Sequence, residues 1–245
     1  MSKTVMLDGQ ILHGLDQYGW WQVNEMDGWD QSPEEKSNTE ERPLADGDYD
    51  TVVRYSRRLV TMSGRLVAKT PEQAFLARER LSALLRDTGV FQVEQMNFAR
   101  WSPFARRGRI SPGRIRGRLL TYRAEIRFND PRKFGEQHTV PGSVGSPGSV
   151  FHRGTHPAWQ VVTVTGSSGG GYTITLNGQS VVVTQPLVSG TPHVLDYRTG
   201  ILRIGGSVIR GGISTAGFSP VLPGMPQDMS ISAGSFSALY HDTFI

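Results

Sequence analysis

Tyr172-Thr173-Ile174-Thr175-Leu176-Asn177-Gly178-Gln179-Ser180-Val181-Val182-Val183 decides the fold class of this chain. Two runs rich in β-branched residues flank Asn-Gly, the dipeptide that accepts positive φ at both central positions of a type I′ turn, so the stretch reads as a tight β-hairpin. Working outward, Trp159 to Thr165, His193 to Asp196, Ile201 to Ile204 and Phe236 to Tyr240 are further short apolar-rich runs separated by turn residues. That rhythm is the one expected of an antiparallel β-sandwich, and it leaves no room for a helix in this half. Upstream, Thr139 to Ser149 is composed almost entirely of Gly, Pro, Ser and Val. This is a linker composition, and it divides the chain into residues 1–138, a linker at 139–150 and residues 151–245.

The first half also reads as strands, with one exception. Val5 to Leu7 and Ile11-Leu12 flank Asp8-Gly9, a second hairpin signature. Trp20 to Val23, Val52 to Ala68 (with Ser63-Gly64 as a candidate interruption) and Val90 to Gln95 are strand candidates. In Leu119 to Phe128, Leu120, Tyr122, Ala124, Ile126 and Phe128 alternate with Thr121, Arg123, Glu125 and Arg127, so one face is buried and the other charged. The exception is a helix predicted over 71–87. Thr70 supplies an N-cap hydroxyl, Pro71 suits the first helical position and Gln73 completes a capping box. Ala74, Ala77, Leu81, Leu84 and Leu85 then share one stripe, and Gly89 follows as a stop. The whole is mainly β.

The 245 residues are enough for two compact domains, and 37% hydrophobic residues suffice for a core in each. With no cysteine, neither a disulfide framework nor a thiolate metal site can form. The amino-terminal residues lack the apolar run of a signal peptide, and no stretch is long enough to span a bilayer, so membrane insertion is not expected. The net charge of +4 conceals strong segregation. Residues 1–50 carry 12 acidic and 3 basic side chains, a net of −9; residues 51–135 carry 6 and 19, a net of +13; the remainder carries 4 of each. Opposite charges so separated can meet within a subunit or across a subunit boundary without any nucleic acid.

The sharpest chemical feature is the arm Arg100-Trp101-Ser102-Pro103-Phe104-Ala105-Arg106-Arg107-Gly108-Arg109, continued by Arg114, Arg116 and Arg118. Arginine interleaved with aromatic residues can grip phosphates and stack on bases. The reading favoured here is a hairpin arm or loop whose Arg100, Trp101, Arg106, Arg107, Arg109 and Arg114 meet a partner. The matching acids are in the exposed loop of residues 27–50, with Glu34, Glu35, Glu40 and Glu41 as contact candidates. Catalytic motifs are weak. Gly166-Ser167-Ser168-Gly169-Gly170 matches the nucleophile elbow in letters only, since a strand and not a helix follows it. His152 and His156 share a helical metal spacing, but Pro157 disfavours helix there. Asp46, Asp48 and Asp50 lack the glycine and closing glutamate of a calcium loop. No enzyme activity, cofactor or metal is therefore expected. Trp159, Tyr172 and Tyr197 are candidates for stacking on sugars, the basis of an alternative reading as a carbohydrate-binding adhesion module.

The order of parts resembles the distal tail proteins of long-tailed, non-contractile bacteriophages. In the first half this rests on the Asp8-Gly9 hairpin, the strand from Leu59, the helix from Pro71 and the Asp130-Pro131-Arg132 exit. In the second it rests on the Asn177-Gly178 hairpin, Asp196-Tyr197-Arg198-Thr199-Gly200, Ile201 to Ile204, Phe218 to Gly224 with its Leu222-Pro223-Gly224 step, and Met229 to Ser232. The resemblance implies a split-barrel belt domain with one helix, followed by a galectin-like sandwich. It also implies a homo-hexameric ring at the tail tip of the virion, assembled in the host cytoplasm. Such a ring joins the tail tube protein to the tail-tip and baseplate proteins and encloses a channel through which DNA passes without specific binding. The acidic loop and the basic arm depart from that compact pattern.

Overall fold

The computed structural model describes residues 3–36 and 54–245. The chain forms two compact units, Met1–Lys133 and Phe134–Phe244.

The first unit is a closed antiparallel barrel. Its strands are β1 (Lys3–Leu7), β2 (Gln10–Leu15), β3 (Gly19–Asp27), β6 (Arg58–Ala68), β7 (Thr88–Gln95), β8 (Phe98–Arg116) and β9 (Leu119–Phe128); β4 (Glu35–Lys36) and β5 (Arg54–Tyr55) form a separate short ribbon. The order β7-β1-β2-β3-β6-β9-β8 closes because β8 pairs with both β9 and β7. Closure leaves no strand edge inside the set, which removes the usual template for edge-to-edge aggregation. Alternation fills the interior with Val5, Leu7, Leu12, Trp21, Val60, Leu66, Phe91, Leu120, Ile126 and Phe128, all at most 1% exposed. Asp8 (φ 50°) and Gly9 (φ 75°) form the expected turn between β1 and β2.

Three expectations about this unit change. The helix, α1, covers Pro71–Ala83 and stops short of 87. Thr70 caps it as expected, accepting a hydrogen bond from the Gln73 N–H at 3.2 Å. It ends because Leu84 and Leu85 leave the helical region, Leu85 with φ of 53°. Gly89 is not the stop: it lies in β7, where a Cβ would come within 2.6 Å of Leu85 Cδ2. Ser63-Gly64 does not interrupt β6. A Cβ at Gly64 would sit 2.4 Å from the Tyr122 hydroxyl, so the glycine makes room for a buried ring that donates to the Leu12 carbonyl at 3.0 Å.

The basic arm is not a loop. Residues 98–116 are a single wall strand, bent by register shifts at Arg107/Arg109 and Pro112/Ile115. Gly108 and Gly113 lie at these bulges, where a Cβ would approach Glu125 Oε1 to 2.6 Å and Thr121 Oγ1 to 2.3 Å. Residues that read as breakers locally are the ones that let a long strand curve round a barrel.

The second unit is a sandwich of two antiparallel sheets. One contains β10 (Lys133–Ser143), β12 (Val161–Thr165), β15 (His193–Asp196), β16 (Ile201–Ile204), β17 (Ser207–Ile209) and β20 (Ser235–Phe244), in the order β17-β16-β15-β12-β20-β10. The other contains β11 (Gly148–Val150), β13 (Tyr172–Leu176), β14 (Gln179–Val183), β18 (Ile213–Ala216) and β19 (Gln227–Ile231), in the order β11-β19-β13-β14-β18. Val162, Val164, Leu195 and Ala238 share a core with Ile174, Leu176, Val181, Val183 and Met229. Asn177 (φ 54°) and Gly178 (φ 72°) make the predicted hairpin turn. The expected linker at 139–150 is largely strand: β10 runs to Ser143 and β11 begins at Gly148. Its glycines serve packing, since a Cβ at Gly142 would lie 2.4 Å from the Phe236 ring.

Candidate functional site

The outer wall of the barrel sets Arg106 and Arg109 of the basic segment beside charged residues of the neighbouring strands. Because β3, β6, β9 and β8 are consecutive neighbours, their outward side chains form cross-strand rows. Leu15, Trp20, Val67 and Leu119 make one row. Beside it run Gln22, Arg65 and Thr121, then Glu25, Ser63, Arg123 and Ser111, then Asp27, Thr61, Glu125 and Arg109, and finally Leu59, Arg127 and Arg106. Acid therefore sits at the β3 side and base at the β8 side of a single face. A shallow groove of about 520 Å³ lies between them, lined by Glu25 and Asp27 on one flank and Arg109 and Arg123 on the other.

Partners within the chain are few. Arg127 binds Glu125 at 2.8 Å, and Arg65 binds the Gln22 side chain at 2.8 Å. Arg107 donates to the Ser82 carbonyl at 2.9 Å, and Arg100 donates to the Ala99 carbonyl at 3.0 Å with its guanidinium 5.9 Å from the Phe98 ring centre. Trp101 is half-buried opposite Gln92. Arg106, Arg109, Arg114 and Arg123 are exposed, and their side chains have no hydrogen bond or ion pair among the described residues. The same holds for Glu34 and Glu35, the latter in the β4–β5 ribbon opposite Tyr55. Glu40 and Glu41 lie outside the described residues, as do Asp46, Asp48 and Asp50. Within one chain, no hydrogen bond or ion pair joins the described arginines of β8 to Glu34 or Glu35. Glu25, Asp27 and Arg123 were not singled out as contacts from the sequence, although the alternation of Leu119 to Phe128 already assigns Arg123 to the charged face.

One end of the barrel is held by buried cations. Arg58, 2% exposed, donates from Nε to the Pro131 carbonyl at 3.0 Å and from Nη1 to the carbonyls of Gly28 at 2.8 Å, Trp29 at 2.9 Å and Gln31. Lys133 donates to the Trp29 carbonyl at 2.9 Å and lies 5.5 Å from the Trp29 ring centre. Burial, reinforced by the Arg58 charge, lowers the Lys133 ammonium to about 8. These groups fix the backbone of residues 28–31 and so the Trp29 ring, which packs on Phe91 and Phe128.

The second unit shows why its apparent motifs are structural. Ser168 is in the connection from β12 to β13 and donates to the Gly171 carbonyl at 2.9 Å, with no helix behind it. His152 is fully buried; one ring nitrogen meets the Val221 carbonyl at 3.2 Å and the other accepts from the Gly154 N–H at 3.0 Å, leaving none for a metal. Tyr172 and Tyr197 are 3% and 2% exposed, and burial raises both phenols. Trp159 packs against the same core. The two tyrosine faces proposed for sugar stacking are thus spent on packing, while Trp159 is half-buried.

No family model and no curated relative matches the sequence. Solved structures do. The Dit protein of phage SPP1, described as a paradigm of hub adsorption apparatus in phages infecting Gram-positive bacteria, aligns over 100% of both chains with a TM-score of 0.76 at 16% identity.

This chain has the Dit fold.

A chain of the phage P2 baseplate, solved in its activated conformation with Ca, aligns over 100% of this chain and 99% of its own with a TM-score of 0.56 at 5% identity. The same baseplate with Sr gives 0.55 over 98% and 96%. A barrel with one helix followed by a sandwich is therefore a Dit fold along the whole chain, at identities where sequence comparison is silent.

Proposed function

We propose that this protein is the non-enzymatic ring component of a phage tail tip: six copies whose barrel units form a belt, joining the tail tube to tail-tip or baseplate proteins and leaving a channel for DNA. The observation that carries this reading is the end-to-end correspondence with the SPP1 hub protein. The outer wall supports it, because Arg106, Arg109 and Arg114, whose side chains have no partner among the described residues, are available to a neighbouring subunit. Arg100, Trp101, Arg106, Arg107, Arg109 and Arg114 are the basic contacts and Glu34, Glu35, Glu40 and Glu41 the acidic ones. The virion is the site of action and the host cytoplasm the site of assembly.

Light scattering of the purified protein, with negative-stain class averages, tests the ring. A six-fold closed ring that dissociates at high salt is expected, and changing Arg106, Arg107 and Arg109 together to Glu lowers its abundance at least tenfold at a fixed protein concentration. A ring left intact by that triple change, with lost affinity for duplex DNA, would refute the assembly role of the arginines. A wild-type chain that stays monomeric at every concentration and salt counts against self-assembly.

A further inference from the structure

Glu136, His138 and Asp242 bring one carboxylate, one imidazole and a second carboxylate together in the second unit, with one donor atom from each within 4.8 Å of the others. The first two are two residues apart on β10 and so share a face; the third comes from the neighbouring strand β20. His138 Nε2 is 2.9 Å from Asp242 Oδ1, and the ring is stacked on Tyr240 with centroids 5.3 Å apart. Asp242 is 3% exposed and is oriented by the Arg153 N–H, which donates to Oδ1 at 2.9 Å. Its other oxygen, Oδ2, accepts no hydrogen bond among the described residues and so is open to a ligand. Glu136 is exposed, and its carboxylate has no partner among the described residues.

We propose that these three side chains form a binding site for a divalent transition-metal ion of the Zn²⁺ kind, clipping β10 to β20. The donor set fits. Imidazole with carboxylates suits zinc and its neighbours, whereas Ca²⁺ and Mg²⁺ take oxygen ligands alone. Bonds of about 2.0–2.2 Å place tetrahedral ligand atoms about 3.4 Å apart. His138 and Asp242 are already near that spacing, and Glu136, on the exposed side, reaches it by a rotamer change. On binding, the ion replaces the proton shared between His138 and Asp242, and a water fills the fourth position. Asp242 is held by Arg153 in the way outer hydrogen bonds usually orient metal ligands. The arrangement is independent of the barrel surface, so it stands or falls apart from the ring.

The test is a titration of the full-length protein with Co²⁺ alone, read by its visible absorption, followed by competition with Zn²⁺. One Co²⁺ per chain, displaced by one Zn²⁺ and unaffected by excess Ca²⁺, is expected. Glu136→Gln, at an exposed position, weakens binding at least tenfold, and His138→Gln abolishes the absorption band. A double change of His13 and His156 to Gln leaves it intact. No stoichiometric binding of the ion, or binding equal to wild type in either Glu136→Gln or His138→Gln, overturns the proposal. Circular dichroism of each variant shows whether the fold has survived; a folded Glu136→Gln with unchanged affinity is sufficient by itself to refute it.

Discussion

Replacing Arg58 with Met removes the donor for four backbone carbonyls while keeping most of the aliphatic volume. The side chain is 2% exposed, and its hydrogen bonds reach Gly28, Trp29, Gln31 and Pro131. Hydrogen bonds from a charged donor contribute about 1.5–3 kcal/mol each, a gross gain of roughly 4.5–9 kcal/mol for the three N–H groups of Nε and Nη1, but desolvating the guanidinium costs several kcal/mol in return. Removing the charged partner from such a set typically costs about 3–5 kcal/mol, because the part-buried carbonyls of Gly28 and Pro131 lose this donor and that of Trp29 is left with Lys133. With a urea slope of about 2 kcal/mol per M, the barrel transition moves down by about 2 M. The sandwich transition is the internal reference and does not move. Hydrogen exchange at residues 28–31 accelerates with it, since those amides lose their anchored carbonyl framework. Lys in place of Arg restores only part of the stability, as one ammonium cannot serve four acceptors spread round a planar guanidinium. A midpoint shift under about 0.3 M for Met, or full recovery with Lys, would show that the network is not what holds residues 28–31.

Lys133 makes the barrel's stability depend on pH. Its ammonium is lowered from 10.5 to about 8 in the folded state. Between those values the unfolded chain holds the proton and the folded chain does not, so stability rises with pH through this window. Solvent screening of a partly accessible amine keeps the gain near about 1 kcal/mol. Urea midpoints of wild type and Lys133→Met at pH 7 and 9.5 check this: the wild-type midpoint gains on the variant as pH rises, and parallel changes would contradict it. Working below pH 10 avoids Tyr122, whose raised phenol contributes the opposite slope above its unfolded range. Gly64→Ala places a methyl 2.4 Å from the Tyr122 hydroxyl and 2.6 Å from the Gln22 carbonyl oxygen. Overpacking of this kind costs about 1–3 kcal/mol, read as a fall in the barrel's melting temperature, and an unchanged value would mean the ring has another place to go.

Local chemistry made much of this protein legible. Asp8-Gly9 and Asn177-Gly178 fixed two turns, Thr70-Pro71 fixed where the helix begins, and the alternation of Leu119 to Phe128 fixed a strand whose bounds the structure reproduces. Each of these depends on residues within a turn or a few positions of one another. The errors fell where the backbone answers to a distant neighbour. Gly64, Gly108 and Gly113 look like breaks in isolation, yet each omits a side chain because Tyr122, Glu125 or Thr121 passes close on the next strand. Residues 139–150 have the composition of a linker, yet β10 and β11 find partners in β20 and β19.

The two candidate sites divide in the same way. Sequence alone determined that this is a mainly β chain with one helix, with acid concentrated before residue 51 and base after it, because composition and short-range periodicity carry that information. Only the tertiary structure decided that Arg109 and Arg123 flank one groove with Glu25 and Asp27, since closure of the barrel leaves just β6 and β9 between β3 and β8. Only the structure could bring His138 to Asp242 across 104 residues of chain, because pairing between strands is set by which faces must be buried together and not by anything written near either residue.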